Sequence, residues 1–286
     1  MFKILLITIL MTGCSFKTVK ECKHPACNDG RFEQLQNLYA EKLQRAQEIK
    51  DQTNSWITPN SCDGMLWSGK YGTVDCSFDP TASEREPGLF GRRPIPCWSD
   101  GENNGAKTTW SRDMSIGLLA WAIECKNVDV LKRHRDYGRK HNWIMGKPLQ
   151  DGRVIYTPQI VDMLMDTIAY LDGDDDYSKI IPIWPSGLTG YEAHLQMMSI
   201  WIRKHYEPVN DLMYRRILEH ASIEPNNPFY SLMAAFYDGG LDETINLLID
   251  PEMPMSSYVR CEDTEGCRLA EWLFVSKQVL ERLGHE

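Results

Sequence analysis

The sequence predicts a mainly α-helical domain stapled by disulfides, and three observations carry that reading. From Thr108 to the end, apolar residues recur at helical spacing with few interruptions. Alternation of apolar and polar residues, the mark of a half-buried strand, is scarce. The helical segments also fall into two kinds, apolar nearly all round or charged over a wide face, the pattern of a buried layer covered by an outer one. Size and composition agree: 286 residues of net charge −9, 42% hydrophobic and 25% charged, describe a globular chain and exclude a disordered, collagen-like or coiled-coil one. No Ser/Gly-rich, Pro-rich or like-charge run marks an internal linker, so residues 30–286 are expected to form one domain. The acidic balance, with basic residues interleaved among acids as in Glu41-Lys42, gives no footprint for a nucleic-acid partner.

Taken in order, residues 1–13 begin with Lys3, continue with an apolar run from Ile4 to Met11 and end on Thr12-Gly13 before Cys14. That is a short export signal, too short to span a bilayer. Its ending resembles a bacterial lipobox with Met11 in place of the commoner Leu, which implies lipidation of Cys14 and anchoring to a membrane at the cell surface or periplasmic face. A plain secretory signal is the alternative. Residues 14–29 follow as the lipidated cysteine and a tether, with almost no apolar periodicity. From Phe32, the positions Leu35, Leu38, Tyr39, Leu43 and Ala46 mark an amphipathic helix. Residues 55–109 read as a short helix around Met65 to Trp67 and then a long loop held by cysteines. The later helices are expected at Met114 to Cys125, Val128 to Ile144, Pro158 to Leu171, Tyr191 to Tyr206, Val209 to Ile223, Pro228 to Tyr237, Leu241 to Ile249 and Cys267 to Leu283. Thr109 or Ser111, Asn227 and Asp242-Glu243 supply start signals.

Cysteine usage fits export. Setting Cys14 aside for lipid leaves an even set for disulfides: Cys22, Cys27, Cys62, Cys76, Cys97, Cys125, Cys261 and Cys267. Cys22 with Cys27 and Cys261 with Cys267 form short loops that can close locally, but the pairing is not deducible. No Cys-x-x-Cys pair supports a zinc site.

Two motifs suggest chemistry. In Ser61-Cys62-Asp63-Gly64-Met65-Leu66-Trp67-Ser68-Gly69-Lys70-Tyr71-Gly72, an acid opens a helix that carries Trp67 and Tyr71 four apart. Aromatic faces and a hydroxyl-accepting carboxylate suit a polyhydroxylated ligand, although Asp63 alone is also a favourable residue at a helix start. In Thr108-Thr109-Trp110-Ser111-Arg112-Asp113-Met114-Ser115-Ile116-Gly117, an Arg-Asp pair leads into the most apolar helix of the chain. A charge placed there needs a partner or a ligand, and the competing reading is a structural ion pair with an N-cap. The alternation of inner and outer helices and these two motifs resemble the α/α-toroid group of carbohydrate-active enzymes. The resemblance implies helix starts lining a central cavity, in a shortened or incomplete ring of helical hairpins at this length. An irregular helical bundle or repeat array is the alternative.

A third cluster, Tyr191, Glu192 and His194, opens another apolar helix. If the starts converge, Asp63 and Asp113 are the candidate catalytic carboxylates of a glycoside hydrolase, and Arg112, Trp67, Tyr71, Trp110, Tyr191, Glu192 and His194 are candidate substrate-binding residues. A polysaccharide-lyase version uses Tyr71, Tyr191 or His194 as base, with Arg112 neutralising a uronic acid. The other functional class is a non-catalytic lipoprotein that binds a glycan or a protein partner. The run Asp172-Gly173-Asp174-Asp175-Asp176 departs from an EF-hand, with a misplaced glycine and Ile183 where the closing Glu belongs, and reads as a solvated acidic turn. No motif calls for a metal or cofactor, and serine-hydrolase, nucleotide-phosphate and dinucleotide signatures are missing.

Overall fold

Segments that are apolar on every side can only be satisfied by burial on every side, and the chain places them at its centre. A computed structural model describes residues 24–53, 56–58, 62–94, 110–146, 154–175, 177, 184–250 and 264–285. The export signal, Cys14, Cys22, Cys97, Cys261, Thr109, Asp176 and Ile183 lie outside the described residues.

Along the chain come α1 (Pro25–Asn28), α2 (Arg31–Thr53), α3 (Gly64–Gly72), a 3-10 turn (Pro80–Ser83), β1 (Glu84–Glu86), β2 (Leu89–Phe90), α4 (Arg112–Glu124) and α5 (Val128–Lys140). Then follow β3 (Ile144–Gly146), β4 (Val154–Ile155), α6 (Pro158–Asp172), α7 (Gly190–Arg203), α8 (Asp211–Ile223), α9 (Pro228–Asp238), α10 (Leu241–Ile249) and α11 (Thr264–His285). The strands form two separate antiparallel pairs. The described fold is therefore mainly helical, as expected. Part of the stretch expected to be a tether forms α1, which His24 starts by accepting a hydrogen bond from the Ala26 amide. The helix expected to reach Ile144 stops at Lys140, because Asn142 and Trp143 turn to positive φ and lead into β3.

Two layers are visible in the burial. Every residue of α3 is buried, as is each residue of α4 from Met114 to Ile123. By contrast α8 buries only Met213, Ile217 and His220, one stripe at helical spacing, and α5 buries Val130, Leu131, His134 and Gly138. Contacts among the buried helices run from α3 to α4, α4 to α7, α7 to α9, α9 to α11 and from α11 back to α3.

These five helices run the same way. Gly117 of α4 lies so close to Met65 and Leu66 of α3 that a Cβ there would overlap their backbone, and Gly69 lies equally close to Gly117. Further along, Gly72 meets Trp121. Lys70 pairs with Glu271 and Thr73 with Lys277, so α3 and α11 also rise together. His194 meets Glu271, and Trp201 stacks edge-on against Phe274 at 5.0 Å, which aligns α7 with α11. Phe229 against Phe274 and Arg282 on the Ala235 carbonyl align α9 with α11. All five N-termini consequently point to one end of the molecule and all five C-termini to the other.

The Cys76–Cys125 disulfide ties the loop after α3 to the C-cap of α4 across 49 residues. Closing a loop of that length stabilises the fold by roughly 4 kcal/mol in chain-entropy terms. Cys27, Cys62 and Cys267 are disulfide-bonded as well. Both short-loop pairings expected from the sequence involve a residue outside the described set.

Gly117→Ala is expected to lower unfolding stability by about 3 kcal/mol, because the added methyl meets backbone that no side-chain rotamer can move. A urea titration checks this, and an unchanged midpoint contradicts the close α3–α4 packing.

Candidate active site

The sequence places an acid or a polar residue at the start of each apolar helix, and the shared direction of those helices brings three of the starts together. Asp63 is the N-cap of α3, Ser111 the N-cap of α4, and Thr189 the N-cap of α7, and none of the three makes a side-chain cap hydrogen bond. Asn127, Asn210 and Asn227 cap α5, α8 and α9 in the ordinary way. At the α4 start the Ser111 hydroxyl instead donates to Asp113 Oδ1.

Asp113, in the first turn of α4, accepts on its other oxygen from the Tyr191 hydroxyl at 2.5 Å. Each carboxylate oxygen thus has its own donor, from the α4 N-cap and from α7, which fixes the plane of the group. Asp63 pairs with Arg92 at 3.1 Å, and the same guanidinium nitrogen reaches the Cys62 carbonyl at 3.2 Å. Burial, then the charges of Asp113 and Asp63, push the Tyr191 phenol far above its ordinary range, with Arg92 pulling the other way. Asp63, Arg92, Asp113 and Tyr191 therefore share one electrostatic neighbourhood. Arg112 and Glu192 are exposed beside it, at the α4 and α7 starts.

The remaining predicted ligand residues sit deeper. Trp67 is 1% exposed and stacks on His194 at 5.7 Å. The Tyr71 hydroxyl bonds Asp75 at 3.2 Å from within the core. Trp110 is fully buried, and its indole N–H reaches Ser115 at 3.0 Å and the Tyr156 hydroxyl at 2.6 Å. Tyr156 in turn meets His134 at 2.6 Å, whose other ring nitrogen faces the Gly88 carbonyl at 2.8 Å. This chain of contacts anchors the α4 start from below. These aromatics thus support the acids as packing and offer little open face to a ligand.

One layer further in, Lys70, His194 and Glu271 meet at the centre of the buried helices, at 0%, 0% and 3% exposure. Lys70 Nζ lies 2.9 Å from His194 Nε2 and bonds Glu271, over the rings of Phe229 at 4.3 Å and Phe274 at 4.7 Å. Burial pushes the Lys70 ammonium down against the pull of Glu271. Burial works against the Glu271 charge too, but Lys70 and His194 outweigh it and hold the carboxyl at about 2. Burial and then Lys70 push His194 down to about 4.

Sequence reading did not find Arg92, Lys70 or Glu271. Lys70 stands alone among apolar residues of α3 and carried a usable signal, whereas Arg92 sits in an irregular loop whose path no periodicity reveals. Among the described residues, no group of acids, histidines and cysteines is arranged to hold a metal ion, and no helix is long and apolar enough to cross a membrane. The acidic turn at Asp172 closes α6 through Gly173 in the left-handed conformation. In comparisons with known proteins, no family model, no curated protein and no solved structure matches this chain.

The buried histidines set an acid limit. His134, pushed down to about 4 chiefly by burial, and His194 both bind protons more readily in the unfolded chain, near 6.5. Stability is therefore full above that range and falls as pH drops from 6.5 toward 4, on the order of 3 kcal/mol for each residue. Urea midpoints at pH 7.5 and 4.5 check this, and equal midpoints contradict the neutral burial of the two rings.

Proposed function

We propose that the chain is a carbohydrate-active enzyme of the glycoside-hydrolase kind, anchored through Cys14 to a bacterial membrane, with Asp113 and Asp63 as its pair of carboxylates. The observation that carries the reading is the Tyr191–Asp113 hydrogen bond beside the Asp63–Arg92 pair, at the end where the apolar helices begin. Hydrolysis of a glycosidic bond needs two carboxylates on opposite sides of the linkage, and their separation selects retention or inversion. Asp113, oriented by donors on both oxygens, suits the member that accepts a proton or attacks. Arg92 and the exposed Arg112 suit recognition of an anionic group on the sugar. Tyr191 stays a phenol, which makes it a donor rather than the base of an elimination, and this favours hydrolase over lyase chemistry. The circuit of parallel inner helices with covering outer ones supports the α/α-toroid-like form of the fold, in a ring shorter than the full six hairpins.

A second reading has its own observation. Trp67, Tyr71 and Trp110 are buried, so the aromatic platform expected of a sugar site is reduced, among the residues named for it, to the half-buried Tyr191. That favours a lipoprotein that binds a glycan or protein without turnover.

The test mixes the exported chain with a panel of polysaccharides and peptidoglycan and follows new reducing ends together with unsaturated-sugar absorbance. Reducing ends without absorbance are expected, falling at least a hundredfold in Asp113→Asn while the melting temperature moves by only a few degrees. No product from a folded sample across the panel transfers the assignment to the binding lipoprotein.

A further inference from the structure

The hydrogens of the buried chain beneath Asp113 can be assigned one by one. A carbonyl only accepts, so His134 Nδ1 carries a proton and donates it to the Gly88 oxygen at 2.8 Å. Burial holds His134 down at about 4, which leaves the ring neutral at pH 7. Nε2 is therefore a bare acceptor, and the Tyr156 hydroxyl donates to it at 2.6 Å. A phenol has one proton to give. With that proton spent on His134, the Tyr156 oxygen accepts from the Trp110 indole N–H at 2.6 Å and from the Ser115 hydroxyl. The bonds then run one way, from the α4 start through Tyr156 to His134 and Gly88.

Tyr156 is the hub of this chain, 4% exposed, and two of its partners flank Asp113 in the sequence. Trp110 lies three residues before the acid and Ser115 two residues after it. One hydroxyl thus holds the first turn of α4 on both sides of the candidate carboxylate. Asp113 is also within electrostatic reach. Burial, first of all, pushes the Tyr156 phenol up, the Ser115 and Trp110 bonds pull it back, and the Asp113 charge adds to the rise. The hub is itself held firmly, since its amide donates to the Trp143 carbonyl at 3.0 Å and its ring stacks on Trp143 at 6.3 Å between centroids. Trp143 has a φ of 60°, in the left-handed region that a bulky residue enters only under constraint. Gly138 of α5 lies so close beneath the Trp143 ring that a Cβ there would overlap it. Such strain persists only where the surroundings over-determine it.

We propose that Tyr156 is a positioning residue of the candidate site: its hydroxyl fixes the first turn of α4, and so fixes where the Asp113 carboxylate stands against Tyr191 and Asp63. The proposal rests on the reading of Asp113 as a site carboxylate. Buried as it is, Tyr156 touches no substrate.

The test compares Tyr156→Phe with Thr244→Val in the full exported chain. Each variant loses one buried hydroxyl, but Thr244 bonds Ser231 at 2.8 Å between α9 and α10, which carry no residue of the site. The first readout is the Tyr191 hydroxyl proton in the NMR spectrum, identified by its loss in Tyr191→Phe and held downfield by the short bond to Asp113. It is expected to move upfield or be lost to exchange in Tyr156→Phe and to stay in place in Thr244→Val. The second readout is turnover of the glycan that the wild-type chain cleaves. In Tyr156→Phe, kcat is expected to fall roughly tenfold with KM within about twofold, while Thr244→Val keeps both. Should Tyr156→Phe not fold, Ser115→Ala removes the α4 side of the same bond and carries the same expectation. An unchanged Tyr191 resonance overturns the proposal, as does an equal loss of kcat in the two variants, since either makes Tyr156 a residue of stability alone. A wild-type chain without turnover on any glycan removes the enzymatic reading, and the resonance alone then decides whether Tyr156 positions Asp113. A wild-type chain without the resonance has no Tyr191–Asp113 bond, which removes the site reading and the proposal together.

Discussion

The structure depends on one constraint: five buried helices that all point the same way. Parallel packing sums their dipoles rather than cancelling them, leaving an electropositive end where amides are unsatisfied and an electronegative end of unsatisfied carbonyls. At each end some side chains of opposite charge meet these groups, beside others of like charge such as Arg92 at the first and Glu124 at the second. Asp63 and Asp113 sit at the amide end, while Lys277 on the Thr73 carbonyl at 2.6 Å and Arg282 on the Ala235 carbonyl at 2.8 Å sit at the other. Close approach makes the arrangement possible, since Gly69 and Gly117 let α3 and α4 meet backbone to backbone. The candidate site is thus a consequence of the packing, which brings carboxylates from two helices and a phenol from a third to one place.

Beneath that site the core is not simply apolar. Lys70, His194 and Glu271 join α3, α7 and α11 at full burial, where a charge without a partner costs several kcal/mol. A buried ionic cluster of this kind need not add net stability over an apolar filling of equal volume, and here it joins three helices at one level. His194 lies one turn below Tyr191 on α7, and Lys70 lies two turns below Asp63 on α3. The level at which these residues meet therefore also sets the level at which the acids stand.

Much of the architecture was legible because periodicity reports burial directly. α10 spans the residues its pattern marks, Asn227 caps α9 through the Phe229 amide at 3.1 Å, and Met114 to Ile123 are buried on all sides as their composition requires. The joining of Asp113 with Tyr191 followed from placing both at helix starts. What failed to show was depth. Trp67 lies four residues inside α3 and Trp110 turns its indole inward to Ser115 and Tyr156, so both fill the core rather than face a cleft. A residue's distance from a helix start is readable, whereas the direction of its side chain depends on neighbours contributed by α5, α7 and the β3–β4 segment. Arg92 escaped for the same reason, since its partner is set by tertiary contact alone.

The central claim is that Asp63 and Asp113 work as one site because the helices carrying them begin together. The most direct measurement is a double-mutant cycle on turnover, with Asp63→Asn, Asp113→Asn and the double variant compared on the same glycan. Residues that act as a unit are far from additive, so the double variant is predicted to retain about the activity of the weaker single variant. Losses that multiply would show two independent groups and contradict a shared site.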